Sequence, residues 1–229
     1  MPRPILVVST GVRLRWFTLL AAVAAAACSV PSHEPQPGPS SPAAQSDRIN
    51  PANVRRLRGS FPAGYEIAEV SGVASPAHFW GLKPGWTARP AECGQLADPA
   101  DGSPQGLSGS GSGGIIYVVV AGASSPAPGA DLLEACSRWT MASGRTSATV
   151  NRLSAPAIED AATVGMATDS RTVVEGGTET DLHATTATAY LADHVAFVTV
   201  VTDPGSGPSG LPPDFASTFL ARAVATLRG

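Results

Sequence analysis

The chain has 229 residues and a formal net charge of −3, from 15 basic and 18 acidic residues. Without Arg3, Arg13 and Arg15 of the N-terminal segment, the balance is 12 basic against 18 acidic residues, a net charge of −6. This acidic balance argues against nucleic acid, or an anionic lipid surface, as the main partner of the remaining chain.

The N-terminal segment has the features of a bacterial lipoprotein signal peptide. Its three arginines precede an apolar run over residues 16–27, and small residues stand directly before Cys28. About a dozen apolar residues are fewer than the roughly 20 that a membrane-spanning helix needs. We therefore expect residues 1–27 to be removed and Cys28 to carry the lipid anchor, a palmitate or similar acyl chain, on the extracytoplasmic face of the cell membrane.

A plain secretory signal, cut after an Ala-x-Ala site with Cys28 left as an ordinary thiol, is the alternative. The number of cysteines favours lipidation, because a lipidated Cys28 leaves Cys93 and Cys136 as a single pair in an oxidising compartment. That pair is predicted to form a structural disulfide. Neither cysteine has a CxxC partner or a nearby histidine, so a metal or redox pair is the weaker interpretation.

Residues 28–48 read as a tether, because after the cysteine they are rich in Pro and Ser and hold almost no large apolar side chain. The tether would reach roughly 25 Å as a flexible coil and about 60 Å as extended polyproline, enough to lift a domain off the membrane surface. Residues 49–229 have the size of a single globular domain.

The first part of the domain is predicted to be poor in long elements. Asn50-Pro51 begins a short helix with Val54 and Leu57 on its apolar side. Residues 65–73 alternate weakly as a strand. A loop-rich region follows over residues 75–104, with helical turns at 76–80 and 90–96.

The middle of the domain contains the clearest strand, the apolar run of residues 115–121, preceded by a glycine-rich stretch at 108–114 that predicts a flexible loop. Residues 131–140 predict a helix with Leu132, Leu133, Cys136 and Trp139 on one face, which would bring the disulfide into the core.

The last part predicts weaker strands over residues 145–153 and 172–175, and then an antiparallel hairpin of residues 181–191 and 195–202. From Phe215 to Leu227, apolar residues recur at helical spacing and predict a terminal helix. We expect an α+β fold, a mainly antiparallel sheet covered by helices, in one domain with one disulfide.

The motifs for catalysis and cofactor binding are missing or out of context. Residues 109–114 match G-x-G-x-x-G as letters but lead into a strand and not into a helix that could meet a phosphate. The G-x-S-x-G nucleophile elbow, the Walker A phosphate loop and the H-E-x-x-H zinc-protease motif are all missing from the sequence. We expect neither a cofactor nor a metal. Asp98 and Asp101-Gly102 hint at a calcium loop but read better as turn residues.

Two kinds of site remain open. A dispersed hydrolase triad could use His78, His183 or His194, although each histidine is more simply a solvated or packing residue. An aromatic cleft for a lipid, a glycan or a protein side chain could be lined by His78, Trp80, Trp86, Tyr117 and Trp139, with Phe79 beside them. The same rings could equally form the core.

The lipobox cysteine, the tether, the A-E-C-G and L-L-E-A-C-S-R-W segments around Cys93 and Cys136, and the late hairpin with its terminal helix resemble small uncharacterised mycobacterial lipoproteins. This group of lipoproteins is distantly similar to the extracellular sensor domain of the PknH-type serine/threonine kinases. That resemblance implies an antiparallel sheet with a ligand cleft. Its kinase members have two disulfides where this chain offers one, so only the two cysteines carry over.

The function expected from the sequence is a lipid-anchored extracytoplasmic module that binds or senses an unknown small-molecule, lipid or protein ligand without catalysis. An envelope hydrolase with a dispersed Ser/His/acid site is the alternative.

Overall fold

The computed structural model describes residues 48–72, 75–202 and 210–229. The predicted signal peptide, Cys28 and nearly all of the tether lie outside the described residues, as do residues 73–74 and 203–209.

The described residues form nine strands and a few helices, of which only one is long. The strands are β1 (Glu66–Val70), β2 (Thr87–Arg89), β3 (Ala100–Gly111), β4 (Gly114–Ala123), β5 (Arg138–Ser143), β6 (Thr146–Leu153), β7 (Ala162–Val173), β8 (Glu179–Leu191) and β9 (His194–Thr202). The α-helices are Pro76–Phe79, Gly94–Ala97, Ala130–Ala135 and Phe215–Arg228, and 3-10 helices lie at Pro51–Ser60 and Ala91–Cys93.

All nine strands join one sheet in the order β1-β3-β4-β9-β8-β7-β6-β5-β2, and every neighbouring pair is antiparallel. The predicted antiparallel sheet is therefore present, with the strand at 115–121 inside β4 and the hairpin as β8 and β9. Because the helices are few and mostly short, α+β describes this fold only loosely.

One face of the sheet packs against the two terminal helical segments. Val54 and Leu57 of the Pro51–Ser60 helix, and Phe219 and Leu220 of the C-terminal helix, are buried in one apolar cluster with side chains of β3, β4, β8 and β9. The Asn50 amide donates to the Leu227 carbonyl at 2.8 Å, which holds the start of the domain beside its end.

The opposite face packs against residues 76–97. Trp80 lies at the centre of this second cluster, its indole nitrogen donating to the Thr186 hydroxyl at 3.0 Å. The Thr186 hydroxyl also shares a 2.9 Å hydrogen bond with that of Thr199, so the polar atoms under the indole satisfy one another.

The predicted disulfide joins Cys93 to Cys136, and both residues are fully buried in the second cluster. In the chain-entropy account, closing a loop of this length stabilises the folded state by about 4 kcal/mol. The bond ties the loop-rich segment to the residue that follows the Ala130–Ala135 helix.

The predicted helix over residues 131–140 is wrong beyond Ala135. Residues 138–143 form β5, so Trp139 lies on a strand and not on the helix that leads to Cys136. Along β5, exposed and buried residues alternate with a period of two. The helical spacing of the four apolar residues was therefore coincidental, and pairing with β6 makes residues 138–143 a strand.

The glycine-rich stretch predicted as a flexible loop is mostly strand. β3 extends to Gly111 and pairs with both β1 and β4. A side chain at Gly109 would collide with the Phe61 ring, and a Cβ at Gly111 would lie 2.6 Å from the Tyr65 ring. The glycines therefore make room for aromatic rings that close the first cluster.

Candidate functional site

Strands β5 to β8 expose a polar surface on the same sheet face that the C-terminal helix packs against elsewhere. Across β6, β7 and β8, Thr149 lies opposite Asp169, and Asp169 lies opposite His183. Directly opposite residues of antiparallel strands project from one face. A second row, two residues along, runs from Ser147 through Arg171 to Asp181.

These rows line a surface cleft of about 510 Å³. The residues that line it come from four strands: Thr140, Met141, Ala142, Ser147, Ala148, Thr149, Asp169, Ser170, Arg171, Asp181 and His183. Because four hydrogen-bonded strands hold them, hydroxyl, carboxylate, guanidinium and imidazole groups are fixed at strand spacing on a rigid base. We call this set of residues the polar cleft.

The charged groups of the polar cleft are paired with one another. The Arg171 guanidinium contacts Asp181 through Nε at 2.7 Å and Nη2 at 3.3 Å, and Glu179 through Nη1 at 2.8 Å. These carboxylates raise the pKa of Arg171 further above its usual value. Nδ1 of His183 contacts Oδ1 of Asp169.

These pairs contribute little to stability, because the side chains of Arg171, Asp181, Asp169 and His183 are all between 43 and 59% exposed. Exposed ion pairs are typically worth about 0–1 kcal/mol. Their donors and acceptors face solvent and can be reached by a ligand.

The polar cleft contains a hydroxyl, an imidazole and a carboxylate, but not in the order of a hydrolase triad. In a triad the histidine lies between the nucleophile and the acid. Here Asp169 lies between Thr149 and His183. Ser147 lies two strands away from His183 and two residues along, about 12 Å by strand geometry. Among the described residues no hydroxyl is hydrogen-bonded to the His183 ring.

The residues predicted for an aromatic cleft lie on the other face of the sheet and differ in how far they are buried. Trp80 is fully buried and Trp139 is 2% exposed, their rings 6.4 Å apart edge to face. Neither ring is open to a ligand in this structure. The Trp86 ring lies against Gly94, half-buried.

The remaining predicted aromatic residues form a small group of their own. Phe79 stacks on Tyr117 with ring centroids 4.1 Å apart, and the exposed His78 ring lies 5.6 Å from Phe79 edge to face. Burial raises the pKa of Tyr117. Ligand binding at the five predicted residues His78, Trp80, Trp86, Tyr117 and Trp139 stays a prediction.

The other sequence candidates have local roles. His194 contacts its neighbour Asp193 at 2.6 Å on the β8–β9 turn, which lowers the pKa of that carboxyl. Asp101 and Gly102, predicted as turn residues, lie on β3 at a register shift, where the Asp101 carboxylate accepts from the Gly102 amide at 2.7 Å. Burial raises the pKa of Asp98. Within the described ranges, no group of three or more metal-ligating side chains converges.

Sequence reasoning missed the polar cleft, although a signal was present. Thr140, Ser147, Thr149, Asp169 and Arg171 each stand between inward-facing residues on their strands. Alternation of this kind marks a sheet with one wet face. It could not be recognised while residues 131–140 were assigned to a helix and most of β7 was unassigned.

The architecture defines the chain as a single-sheet antiparallel domain with terminal helical segments packed on one face and one disulfide. The sequence matches the family described as "Domain of unknown function (DUF5642)" over residues 50–228, and the chain belongs to that family. No curated protein matches the chain.

A solved structure has a similar fold. It is the X-ray structure of a putative uncharacterized protein, the Rv0999 ortholog from Mycobacterium smegmatis, with a TM-score of 0.57 and 22% sequence identity. The match covers 79% of this chain and 98% of that chain. The family and this mycobacterial neighbour agree with the expected uncharacterised mycobacterial family. None of the helices within the described ranges is long and apolar enough to cross a membrane.

Proposed function

We propose that this chain is a membrane-anchored extracytoplasmic lipoprotein whose domain binds a polar, uncharged ligand in the polar cleft without catalysis. The observation that carries the proposal is the cleft itself, in which exposed hydrogen-bonding groups from four strands face solvent on a rigid sheet.

The pairing of charges favours an uncharged ligand. Arg171 is held by two carboxylates, so an anion would have to compete with Asp181 and Glu179 for the guanidinium. A neutral polyol, such as a sugar, can donate to the carboxylates and accept from the guanidinium without separating the pairs. The hydroxyls of Thr140, Ser147 and Thr149 add partners of both kinds.

Amide chemical-shift titration with neutral oligosaccharides of mannose, glucose and N-acetylglucosamine tests this proposal. We expect saturable shifts confined to β5–β8, weakened at least tenfold in Asp181→Asn. The matched control is Asp131→Asn, an exposed aspartate outside the cleft. Shifts centred on residues 76–82 and Tyr117 would instead support the aromatic cleft, and the absence of any shift with all three sugars would contradict the neutral-ligand proposal.

A hydrolase is the second candidate, because the cleft does bring Ser147, His183 and two aspartates onto one surface. Incubation with a fluorophosphonate probe and with nitrophenyl esters distinguishes the two functions. A binding module gives no labelling and no turnover. Labelling of Ser147 or Thr149 that is lost in His183→Ala would favour the hydrolase and would require the strands to carry the side chains closer than they lie here.

The anchor and the sensor-like role are supported by sequence features alone. The apolar run before Cys28 and the Pro/Ser-rich tether support anchoring. The similarity to the PknH-type sensor domain is in keeping with an antiparallel sheet that carries a cleft.

Intact-mass measurement of the chain from a mycobacterial host tests the anchor. We expect an acylated N-terminal Cys28 and a gain of about two daltons on reduction of the disulfide. A chain that still begins at Met1 would overturn the anchor and leave the cleft proposal standing.

A further inference from the structure

The start of the domain carries a concentrated basic surface in an otherwise acidic chain. Residues 48–58 contain four arginines and no acidic residue. The remainder of the chain after the predicted signal peptide has 8 basic against 18 acidic residues. Charge is therefore strongly polarised along the chain, although the net charge hides it.

The 3-10 helix Pro51–Ser60 presents these arginines to solvent. Its buried side, Val54 and Leu57, is fixed in the first apolar cluster. Arg48 and the helix residues Arg55, Arg56 and Arg58 are all exposed. We call these four residues the arginine surface.

Nearby acidic groups neutralise only part of this surface. Arg55 lies 3.6 Å from Glu69 of β1, with both side chains more than 60% exposed. Arg58 donates to the Ile67 carbonyl at 3.1 Å and keeps its charge. Two further acidic residues are nearby. Asp47 directly precedes Arg48 in the sequence, and Glu66 lies on β1, the strand that also carries Glu69.

We propose that the arginine surface binds anionic phospholipid head groups and orients the domain on the bilayer. The predicted tether joins the domain at residue 48, and the Asn50–Leu227 hydrogen bond fixes that point on the fold. With about 2 Å of rise per residue, the whole arginine surface lies within about 20 Å of the junction. The anchor would hold this end of the domain close to the membrane.

The arginine surface and the polar cleft lie towards opposite edges of the sheet. The Pro51–Ser60 helix lies against β1, β3 and β4, whereas the polar cleft is built on β5 to β8 towards the other edge of the sheet. Attraction at the arginine end therefore turns this edge of the sheet towards the lipid surface and the cleft edge away from it. The inference rests on the proposed anchoring but not on the identity of the ligand.

Vesicle co-sedimentation of residues 28–229 carrying Cys28→Ser tests the proposal without a lipid anchor. We expect binding to phosphatidylcholine vesicles that contain phosphatidylglycerol, none to phosphatidylcholine alone, and loss of binding at high salt. The double variant R48Q/R56Q should weaken binding about 25-fold, since each arginine near an anionic surface contributes about a fivefold factor. It removes no hydrogen bond recorded for the described residues.

The matched control is R138Q/R152Q, which removes two exposed arginines from β5 and β6. It should bind as the parent does. Equal loss in the control, or no dependence on phosphatidylglycerol, would overturn the arginine surface. Because these vesicles test an unlipidated chain, a negative result leaves the anchor to be judged by intact mass and the cleft by sugar titration.

Discussion

One face of the sheet is divided into two halves that differ in what lies on them. Over β4, β9 and the end of β8, the C-terminal helix buries the side chains that project from this face. Over β5 to β7 and the beginning of β8, the same face is open and carries the polar cleft. A single strand, β8, contains both states, since Asp181 and His183 are exposed while Ala187, Ala189 and Leu191 are buried.

The side chains of the helix-packed half stabilise the fold, whereas those of the open half are available to bind a ligand. Burial of apolar surface contributes about 25 cal/mol per Å² and dominates stability, whereas exposed polar pairs contribute almost nothing. Substitutions in the helix-packed half should therefore act on the free energy of unfolding. Those in the open half should act on binding alone.

The largest effect is expected for Phe219→Ala in the helix-packed half. The Phe219 ring is 3% exposed and packs 5.1 Å from Phe61 and 5.4 Å from Phe215. Its removal should lower the free energy of unfolding by about 3–5 kcal/mol in denaturant titration. Thr140→Ala in the open half is the control and should change it by less than about 0.5 kcal/mol. Similar losses in both variants would erase the distinction between the halves.

Gly109→Ala probes the edge of the helix-packed half by adding a single methyl group. The new carbon collides with the Phe61 ring, and relief requires movement of a side chain in the core. We expect a loss of about 1–3 kcal/mol in the free energy of unfolding. Gly59→Ala, which meets no atom within 4 Å, is the matched control. If Gly109→Ala were as stable as Gly59→Ala, the glycines of β3 would not be there for the aromatic rings.

Tyr190 lies in the second cluster, on the opposite face of the sheet, and should make the free energy of unfolding depend on pH. Burial raises its pKa to about 12 from 10.0, so the unfolded chain ionises first. The resulting stabilisation is present below pH 10 and is lost as the pH rises towards 12. Between pH 9 and pH 11 the parent should lose about 1 kcal/mol through this group. Tyr190→Phe should lack that share of the decline, and identical pH profiles for the two proteins would show that the phenol is solvated.

The strongest periodic segments were predictable from the sequence. The apolar run in β4, the β8–β9 hairpin and the terminal helix have patterns long enough to decide their structure. The disulfide followed from counting cysteines in a chain expected to be exported. The sheet class followed from these elements together.

What the sequence did not reveal depends on long-range pairing. The start of β5 was predicted as the end of a helix because Leu132, Leu133, Cys136 and Trp139 share helical spacing. Only the pairing of β5 with β6 makes residues 138–143 a strand. Glycine-rich β3 lacks strand propensity and is held by the aromatic rings that lie over it. The polar cleft needs four correctly registered strands, so no local motif announces it.

A small effect on stability is expected for Asp169→Asn in the open half, and this variant connects the comparison of the two halves to function. The side chain is 59% exposed and its contact with His183 is open to solvent. The free energy of unfolding should therefore change by less than about 1 kcal/mol at neutral pH. Binding of a neutral sugar should nevertheless weaken, because the amide replaces one acceptor oxygen by a donor at the centre of the row. Paired denaturant titrations and sugar titrations of the parent and the variant measure both quantities. A loss of more than about 2 kcal/mol would mean that the open half also supports the fold, and an unchanged sugar titration would place the ligand away from Asp169.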